Sequence, residues 1–422
     1  MDEKLPHQYV GGKWTTSFHI LSGLGCNTVT AQLPATLPIT RGCPYAPPDE
    51  HRRLRDEAPI QRVTLPSGET AWAITRHEDI RAMLTDPRFS SDRRNPNFPL
   101  LIKGQRINTG FRASLIGMDP PEHGPARRKV VGEFTVRRME ALRPRIQEIV
   151  DQHIDAMLAG PKPADLVKAL SLPVPSLVIC EQLGVPYADH EFFQLHSSRL
   201  LSRVTPPEER KASIDALRDY LGELIERKAQ EPADDLLSRQ LDKQDDREEL
   251  VSLAFLLLVA GHETTANMIS LGTMAFLERP EDIRKIQEDP SKTLPAVEEL
   301  LRYFTIAEFA VSRVAVEDVE LGGVLIKAGE GVVPLSNLAN RDPDAFDHPE
   351  ELDIERGARH HLAFGFGAHQ CLGQNLARME LQIVFDTLFR RIPGLRPAVP
   401  LDSLPFKDDA SVYGIHEFPV TW

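Results

Sequence analysis

Cys371 stands in the run Phe364-Gly365-Phe366-Gly367-Ala368-His369-Gln370-Cys371-Leu372-Gly373, between glycines that let a backbone turn sharply and approach a flat or bulky group. From Leu372 the apolar residues recur at Leu376, Met379, Ile383 and Leu388, a helical period that stops before Pro393-Gly394. The thiol therefore falls at a helix start, where unpaired backbone N–H groups and the positive end of the dipole favour a sulfur anion. A lone cysteine is commonly a small buried apolar group. The glycines and the helix start mark this one instead as a presented metal ligand.

A second cluster, Ala260-Gly261-His262-Glu263-Thr264-Thr265, interrupts an otherwise apolar helical run, and its polar groups need partners. Ala260 and Gly261 are small enough for something broad to reach the backbone, and Thr264 lies one turn on along the face of Ala260. Glu263 beside Thr264 supplies a carboxylate and a hydroxyl, the groups a proton relay needs. The alternative is a helix kink in which the threonine bonds back to a carbonyl. Glu299 and Arg302 sit three apart on another helical run with apolar flanks, either as a surface pair or as a buried, scaffold-fixing one. His123 with Arg127 one turn on, Arg313 in the strand-like run 310–316, and His369 are the cations available to an acidic cofactor edge. His360 and His361 are adjacent, would point apart on a strand, and do not read as a metal pair.

These groups call for a mainly helical frame. The longest predicted helix runs from Arg247 to Glu278, capped by Asp245-Asp246 and stopped by Pro280. At 1.5 Å per residue it would span about 48 Å. Its middle, 253–259, is apolar on all sides and so passes through the core. Asp119-Pro120-Pro121-Glu122-His123 opens a further helix, and helical periods follow over 139–157, 177–183, 190–201 and 211–228 with prolines between them. Residues 60–65 and 70–75 flank Pro66-Ser67-Gly68-Glu69 as strand, turn and strand, a small β region. Residues 77–84 read as a short helix, and 87–99 as a long loop of the kind that covers a site. Residues 1–42 show little periodicity and read as a leader, flexible or partly added by cloning, while 43–422 read as one domain.

The 422 residues carry 49 basic and 62 acidic side chains, a net charge of −13, which argues against a general surface for nucleic acid or anionic membrane. Cys26, Cys43, Cys180 and Cys371 show no CxxC spacing. Neither a disulfide framework nor a zinc knuckle is indicated, and a reducing cytoplasm fits. No signal peptide is legible, and the most apolar run, 250–260, is about half the roughly 20 residues needed to cross a bilayer.

In this order and spacing, the 364–373 run, the 260–265 segment and the Glu299/Arg302 pair resemble the cytochrome P450 haem-thiolate monooxygenases, from about residue 43 to the C-terminus. Met118-Asp119-Pro120-Pro121-Glu122-His123-Gly124, Pro173-Val174-Pro175-Ser176, Ala339-Asn340-Arg341-Asp342 and Pro419-Val420-Thr421-Trp422 resemble the soluble actinobacterial branch that includes vitamin D, statin and polyketide hydroxylases. The resemblance implies the cytochrome P450 triangular prism fold, mainly α with a small β region, and haem b (iron protoporphyrin IX) as cofactor. It implies insertion of one oxygen atom of O2 into a large lipophilic small molecule, with NAD(P)H-derived electrons from ferredoxin and ferredoxin reductase. A cytoplasmic monomer that binds neither nucleic acid nor membrane is expected. Cys371 would be the axial iron ligand, with Phe364 shielding its sulfur. Thr264 and Glu263 would deliver protons, and Ala260 and Gly261 would line the oxygen pocket. His123, Arg127, Arg313 and His369 would hold the propionates, and Glu299, Arg302 and Arg356 would form a buried triad. The chain has Glu263 where many relatives have Asp, and Phe366 where relatives often have His; both occur within the family. Arg378 with Arg127-Arg128-Lys129 would form a basic docking face for the ferredoxin. A haem-binding sensor, the alternative, would keep Cys371 without needing Glu263 and Thr264. Substrate contacts are expected from 88–116, 192–203, 306–311 and 411–416.

Overall fold

The computed structural model describes residues 9–10, 13–14, 35–102, 114–244 and 246–422. It has two units, Met1–Pro34 and Ala35–Trp422. In the first, Tyr9–Val10 pairs antiparallel with Lys13–Trp14. The second holds every element that follows.

A turn at 66–68 folds β1 (Ile60–Thr64) onto β2 (Thr70–Ile74), with buried Val63 opposite buried Ala71. Gly68 makes the turn possible at φ +87°, its N–H bonding Leu65 O at 2.9 Å. Three more strands complete a five-stranded sheet: β3 (Phe89–Ser90), β4 (Arg313–Ala315) and β5 (Gly331–Pro334), in the order β1-β2-β5-β4-β3. Only the β2/β5 pair is parallel. Thr36 bridges Thr64, and Thr64 N–H bonds Ala35 O at 2.8 Å, so residues from 35 on, placed in the leader by the sequence reading, lie along this sheet.

Two smaller sheets, of three and two strands, lie elsewhere in this unit, and helices make up most of the remaining frame. Those that position the site are α1 (His77–Thr85), α2 (His123–Val130), α3 (Val136–Ala159), α4 (Pro173–Leu183), α5 (Pro207–Gln230), α6 (Arg247–Gly261), α7 (Glu263–Leu277), α8 (Thr293–Phe304) and α9 (Gln374–Arg391). Their ends follow ordinary stereochemistry. Thr135 caps α3, Pro173 opens α4 and left-handed Gly184 ends it, and the Asp246 carboxylate accepts from Glu249 N–H at 3.1 Å to start α6. Asp245, the other expected cap residue, lies outside the described residues.

The single helix expected from Arg247 to Glu278 is two, α6 and α7, separated at His262. The cause is local competition for carbonyls: His262 Nδ1 lies 2.9 Å from Leu258 O, and Thr264 Oγ1 donates to Ala260 O at 2.9 Å. The stretch Arg247–Leu277 passes a length-and-composition test for crossing a membrane, yet α7 is almost entirely buried in the protein core. There Phe276 meets Phe385 and Phe389 of α9 edge-on, at ring separations of 5.2 and 5.4 Å.

Candidate active site

α7 and α9 pack against each other, and the ends of these helices bound an apolar cavity of about 280 Å³. Leu115, Ile116, Leu257, Ile306 and Val311 contribute to its wall. Of the sequence-predicted site residues, Arg127, Ala260, Gly261, Thr264, Arg313, Phe364, His369 and Cys371 line this one cavity; His123 and Glu263 do not.

The cysteine loop is shaped by two left-handed glycines, Gly365 at φ +67° and Gly367 at φ +71°. A Cβ on Gly367 would lie 2.9 Å from Leu84 O of α1, so the loop also needs the missing side chain to pack there. Cys371 N–H bonds Phe364 O at 2.8 Å, which closes the loop and leaves the sulfur facing the cavity. Burial pushes the thiol up, against the pull of the Gly373 and Gln374 N–H groups and of Arg127 and Arg378. The anion expected from the helix start is thus opposed by desolvation, and a bound cation would supply the missing stabilisation. Phe364 lies between the cavity and the Arg378 guanidinium, which sits 4.6 Å from its ring centre.

One edge of the cavity is crowded with basic groups. The His123 and His369 rings are 4.0 Å apart, and His369 Nε2 lies 3.1 Å from Ser91 Oγ. His123 Nε2 and Arg313 Nη2 are buried without a partner among the described residues. Burial, then the neighbouring Arg93, lowers Arg313 to about 10. Burial, then Arg313, His123 and Arg127, lowers His369 to about 3. Such crowding of donors is costly unless an acidic group accepts from them. The sequence reading missed Ser91 and Arg93, for which position two residues apart in a loop gave no periodic signal.

Thr264 bonds back to Ala260 O, as the kink reading expected, and also lines the cavity. Gly261 serves packing as well as space, since a Cβ there would lie 2.9 Å from Ile179 of α4. Glu263 is buried and turned toward the C-terminal segment, where Lys407 Nζ lies 3.0 Å from its carboxylate. Lys407 was not anticipated.

The loop is tied to the core by two ionic networks. Glu299 and Arg302, both fully buried, make a two-pronged pair at 2.7 Å, and Arg356 Nε approaches Glu299 at 3.2 Å. Arg302 also donates to Asn340 O, Pro349 O and Glu351 O at 2.7, 2.8 and 3.0 Å. Asn340 Oδ1 accepts from Leu362 N–H at 2.6 Å, two residues before Phe364. The second network joins Glu298 to His361 at 3.0 Å and to Arg378. His361 is thereby a structural partner, and His360 stacks on Phe346 at 4.3 Å.

Three of the four cations assigned to a docking face are engaged. Arg127 donates to Gln370 O beside the cysteine, Lys129 pairs with Glu249 at 2.9 Å, and Arg378 pairs with Glu298; Arg128 alone of the four is exposed. Among the expected substrate segments, Leu115, Ile116, Ile306, Ala307, Ala310 and Val311 line the cavity, while residues 103–113 lie outside the described residues. The 192–203 and 411–416 segments contribute no wall residue to it; Arg203, Ser411 and Tyr413 instead line a polar cavity of about 20 Å³.

The donor set can now be matched to a ligand. Among the described residues no three His, Cys, Asp or Glu side chains cluster to hold a metal. A metal at Cys371 must therefore bring its other ligands with it. An apolar slot, one sulfur, and unpartnered donors along one edge fit a flat apolar macrocycle with acidic groups on that edge and a soft metal at its centre.

Comparison with known proteins agrees with this chemistry. The model of the family described as Cytochrome P450 matches residues 47–392. Pentalenic acid synthase of Streptomyces avermitilis is 50% identical over 396 residues, covering 92% of this chain and 98% of that protein. Vitamin D3 dihydroxylase of Streptomyces griseolus is 48% identical over 410 residues, covering 94% and 100%. The crystal structure of cytochrome P450 MoxA from Nonomuraea recticatena superposes with a TM-score of 0.85 at 59% identity, covering 92% of this chain and 98% of that one.

Proposed function

The chain belongs to the cytochrome P450 family and is a monooxygenase, and from that premise we propose that it inserts one oxygen atom of O2 into a large lipophilic small molecule, hydroxylating a secondary metabolite, a statin, a steroid-like compound or a xenobiotic. The observation that carries this reading is the apolar cavity with a single sulfur on its wall, a hydroxyl from α7, and orphaned basic groups along one edge. Names of two relatives, a pentalenic acid synthase and a vitamin D3 dihydroxylase, support a terpenoid- or sterol-sized substrate.

Cys371 would hold the iron of haem b, and His123, Arg127, Arg313 and His369 would hold its two acid groups. When bound, the haem supplies reductive activation of dioxygen, promoted by electron donation from the sulfur. The protein's own work is positioning and proton supply. The loop glycines and the Asn340 bond to Leu362 fix where the sulfur points. Phe364 and the apolar wall keep water from it. Thr264 has its hydroxyl hydrogen on Ala260 O, which leaves the oxygen lone pairs free to accept a hydrogen bond from the cavity. Glu263, paired with Lys407 at 3.0 Å, places a carboxyl group one residue before Thr264, where it would take up a proton from solvent and hand it on toward the Thr264 hydroxyl.

Electrons would come from a ferredoxin and its reductase in the cytoplasm, with this chain acting as a monomer. Exposed Arg128 and Arg137, next to exposed Val131 and Val136, offer a mixed basic and apolar surface on the side of the cysteine loop, where Asn375 bonds Phe134 O. Turnover under isotopically labelled dioxygen tests the proposal. One labelled atom per product, dependent on both redox proteins, is expected; product carrying solvent oxygen, or formed without the ferredoxin, would contradict it.

A further inference from the structure

A second concavity, a groove of about 580 Å³, shares no wall residue with the Cys371 cavity. It lies where the end of α3, the stretch 160–173 and the start of the helix His190–Leu201 meet, and its size is that of a small-molecule site. Met157, Leu172 and Pro173 give it apolar wall. Four of its polar side chains share one property: what they can donate is spent on the protein, and an acceptor is left over. His153 Nδ1 lies 2.9 Å from Ile149 O, and His190 Nδ1 lies 2.7 Å from Tyr187 O. A carbonyl only accepts, so each Nδ1 carries the hydrogen and each Nε2 of the neutral ring is an acceptor. Gln194 donates from its amide nitrogen to Ser176 Oγ at 3.3 Å, which leaves its amide oxygen. Asp165 Oδ1 accepts from the Val167 and Phe418 N–H groups at 3.0 Å, while Oδ2 has no hydrogen bond among the described residues and only Lys168 Nζ nearby, at 3.3 Å. Lys168 is 74% exposed, so water screens that pair and the ammonium can swing away. Two further wall features are aromatic: the Tyr187 and His190 rings stack at 4.2 Å, within 6° of parallel.

We propose that this groove is a second ligand site, which takes a planar aromatic cation bearing N–H donors. The ring system of the ligand lies against the Tyr187–His190 pair and the apolar wall, where a cation over an aromatic face is also attracted electrostatically. Its N–H groups meet the leftover acceptors, with the Asp165 carboxylate as the charged partner and the Lys168 ammonium displaced into water. The net charge of −13 draws cations toward the protein from a distance. A planar anion is disfavoured by the same wall: it faces the Asp165 carboxylate and finds only the Lys168 ammonium and the Tyr187 hydroxyl as donors. The site is separate from the monooxygenase reaction at Cys371 and does not depend on it, although α4 touches both, with Pro173 on the groove and Ile179 on the cavity.

Calorimetric titration of the haem-loaded protein with proflavine, a flat acridinium with an amino group at each end, tests the site. Excess phenylimidazole is present to keep the Cys371 cavity occupied. One site per chain is expected, with a dissociation constant below about 100 μM. Anthracene sulfonate, equally flat and of opposite charge, should not bind. Ala156→Trp, at an exposed position of α3 on the groove wall, should abolish binding while leaving the carbon monoxide spectrum unchanged. Asp165→Asn keeps the Oδ1 bonds to Val167 and Phe418 and should weaken binding about tenfold, the effect of losing one charge-assisted bond. Lys168→Ala removes the competing cation and should tighten binding about twofold or more. The proposal is overturned by wild-type protein that does not bind proflavine or binds the sulfonate equally well. Binding that survives Ala156→Trp, or that disappears when phenylimidazole is added, also overturns it. Should Asp165→Asn fail to fold, the exposed Lys168→Ala variant decides alone: binding weaker than in the wild type refutes a cation at Asp165.

Discussion

Replacing Arg302 with methionine should be among the most damaging single changes outside the cavity. The guanidinium is fully buried, gives two hydrogen bonds to Glu299 and reaches three backbone carbonyls, at Asn340, Pro349 and Glu351. Removing it strands the Glu299 carboxylate, which keeps only Asp353 N–H at 2.9 Å and the more distant Arg356. Breaking a buried pair in this way costs about 3–5 kcal/mol. Each carbonyl left without its donor adds about 1 kcal/mol at the low end. The total, about 6–8 kcal/mol, rivals the whole stability of a domain. Arg356→Met should cost less, about 2–4 kcal/mol, because Arg356 also donates to the carbonyls of Asp347, His348 and Glu351, but these lie where water can replace the guanidinium. Urea unfolding followed by tryptophan fluorescence would measure both, and haem retention would report whether the 340–362 segment still fixes the cysteine loop. An Arg302→Met loss below about 2 kcal/mol, or equal losses for the two variants, would refute the argument that burial of the donor sets the cost.

Four further outcomes follow from the same structure. Burial would raise the Glu298 carboxyl, but hydrogen bonds from His361 and Arg378 overcome this and hold it at about 2. A depressed folded value adds stability that is complete above the ordinary value of 4.5 and disappears as pH falls toward 2, roughly 3 kcal/mol in all; acid titration of unfolding should lose this dependence in Glu298→Gln. Thr264→Ala should consume reductant while releasing peroxide, with haem content unchanged, as measured by product per NADPH. Lys407→Met strands the Glu263 carboxylate and should destabilise by about 3–5 kcal/mol in chemical denaturation, with recovery in Lys407→Arg. Gly367→Ala meets both a left-handed φ and the Leu84 carbonyl, and should lose at least about 2 kcal/mol together with haem affinity, read by melting temperature and haem transfer to an acceptor protein.

The chemistry was more legible than its supports. Cys371, Thr264 and the Glu299–Arg302 pair stand out because each breaks a local pattern: a glycine-flanked thiol, a polar step in an apolar helix, and two charges among apolar neighbours. Their partners do not. Lys407 reaches Glu263 across 144 residues of chain, and Glu298 joins His361 and Arg378 over 63 and 80. Nothing in the spacing of isolated charges distinguishes such pairs from solvated ones. The break at His262 was visible as a choice between a relay and a kink, but not that the hydroxyl bonded back to Ala260 O also lines the cavity. Nor did charge composition reveal that Arg127, Lys129 and Arg378 turn toward partners: that depends on which helix face packs, and on carbonyls such as Gln370 O that a loop happens to present.

The claim on which the rest depends is that Cys371 ligates the iron of a haem in this cavity. The carbon monoxide difference spectrum of the reduced protein measures it directly. The account predicts a red-shifted Soret band characteristic of thiolate ligation in the wild type, abolished in Cys371→Ala. Haem-replete wild-type protein that lacks this band, or a Cys371→Ala variant that retains it, would contradict it.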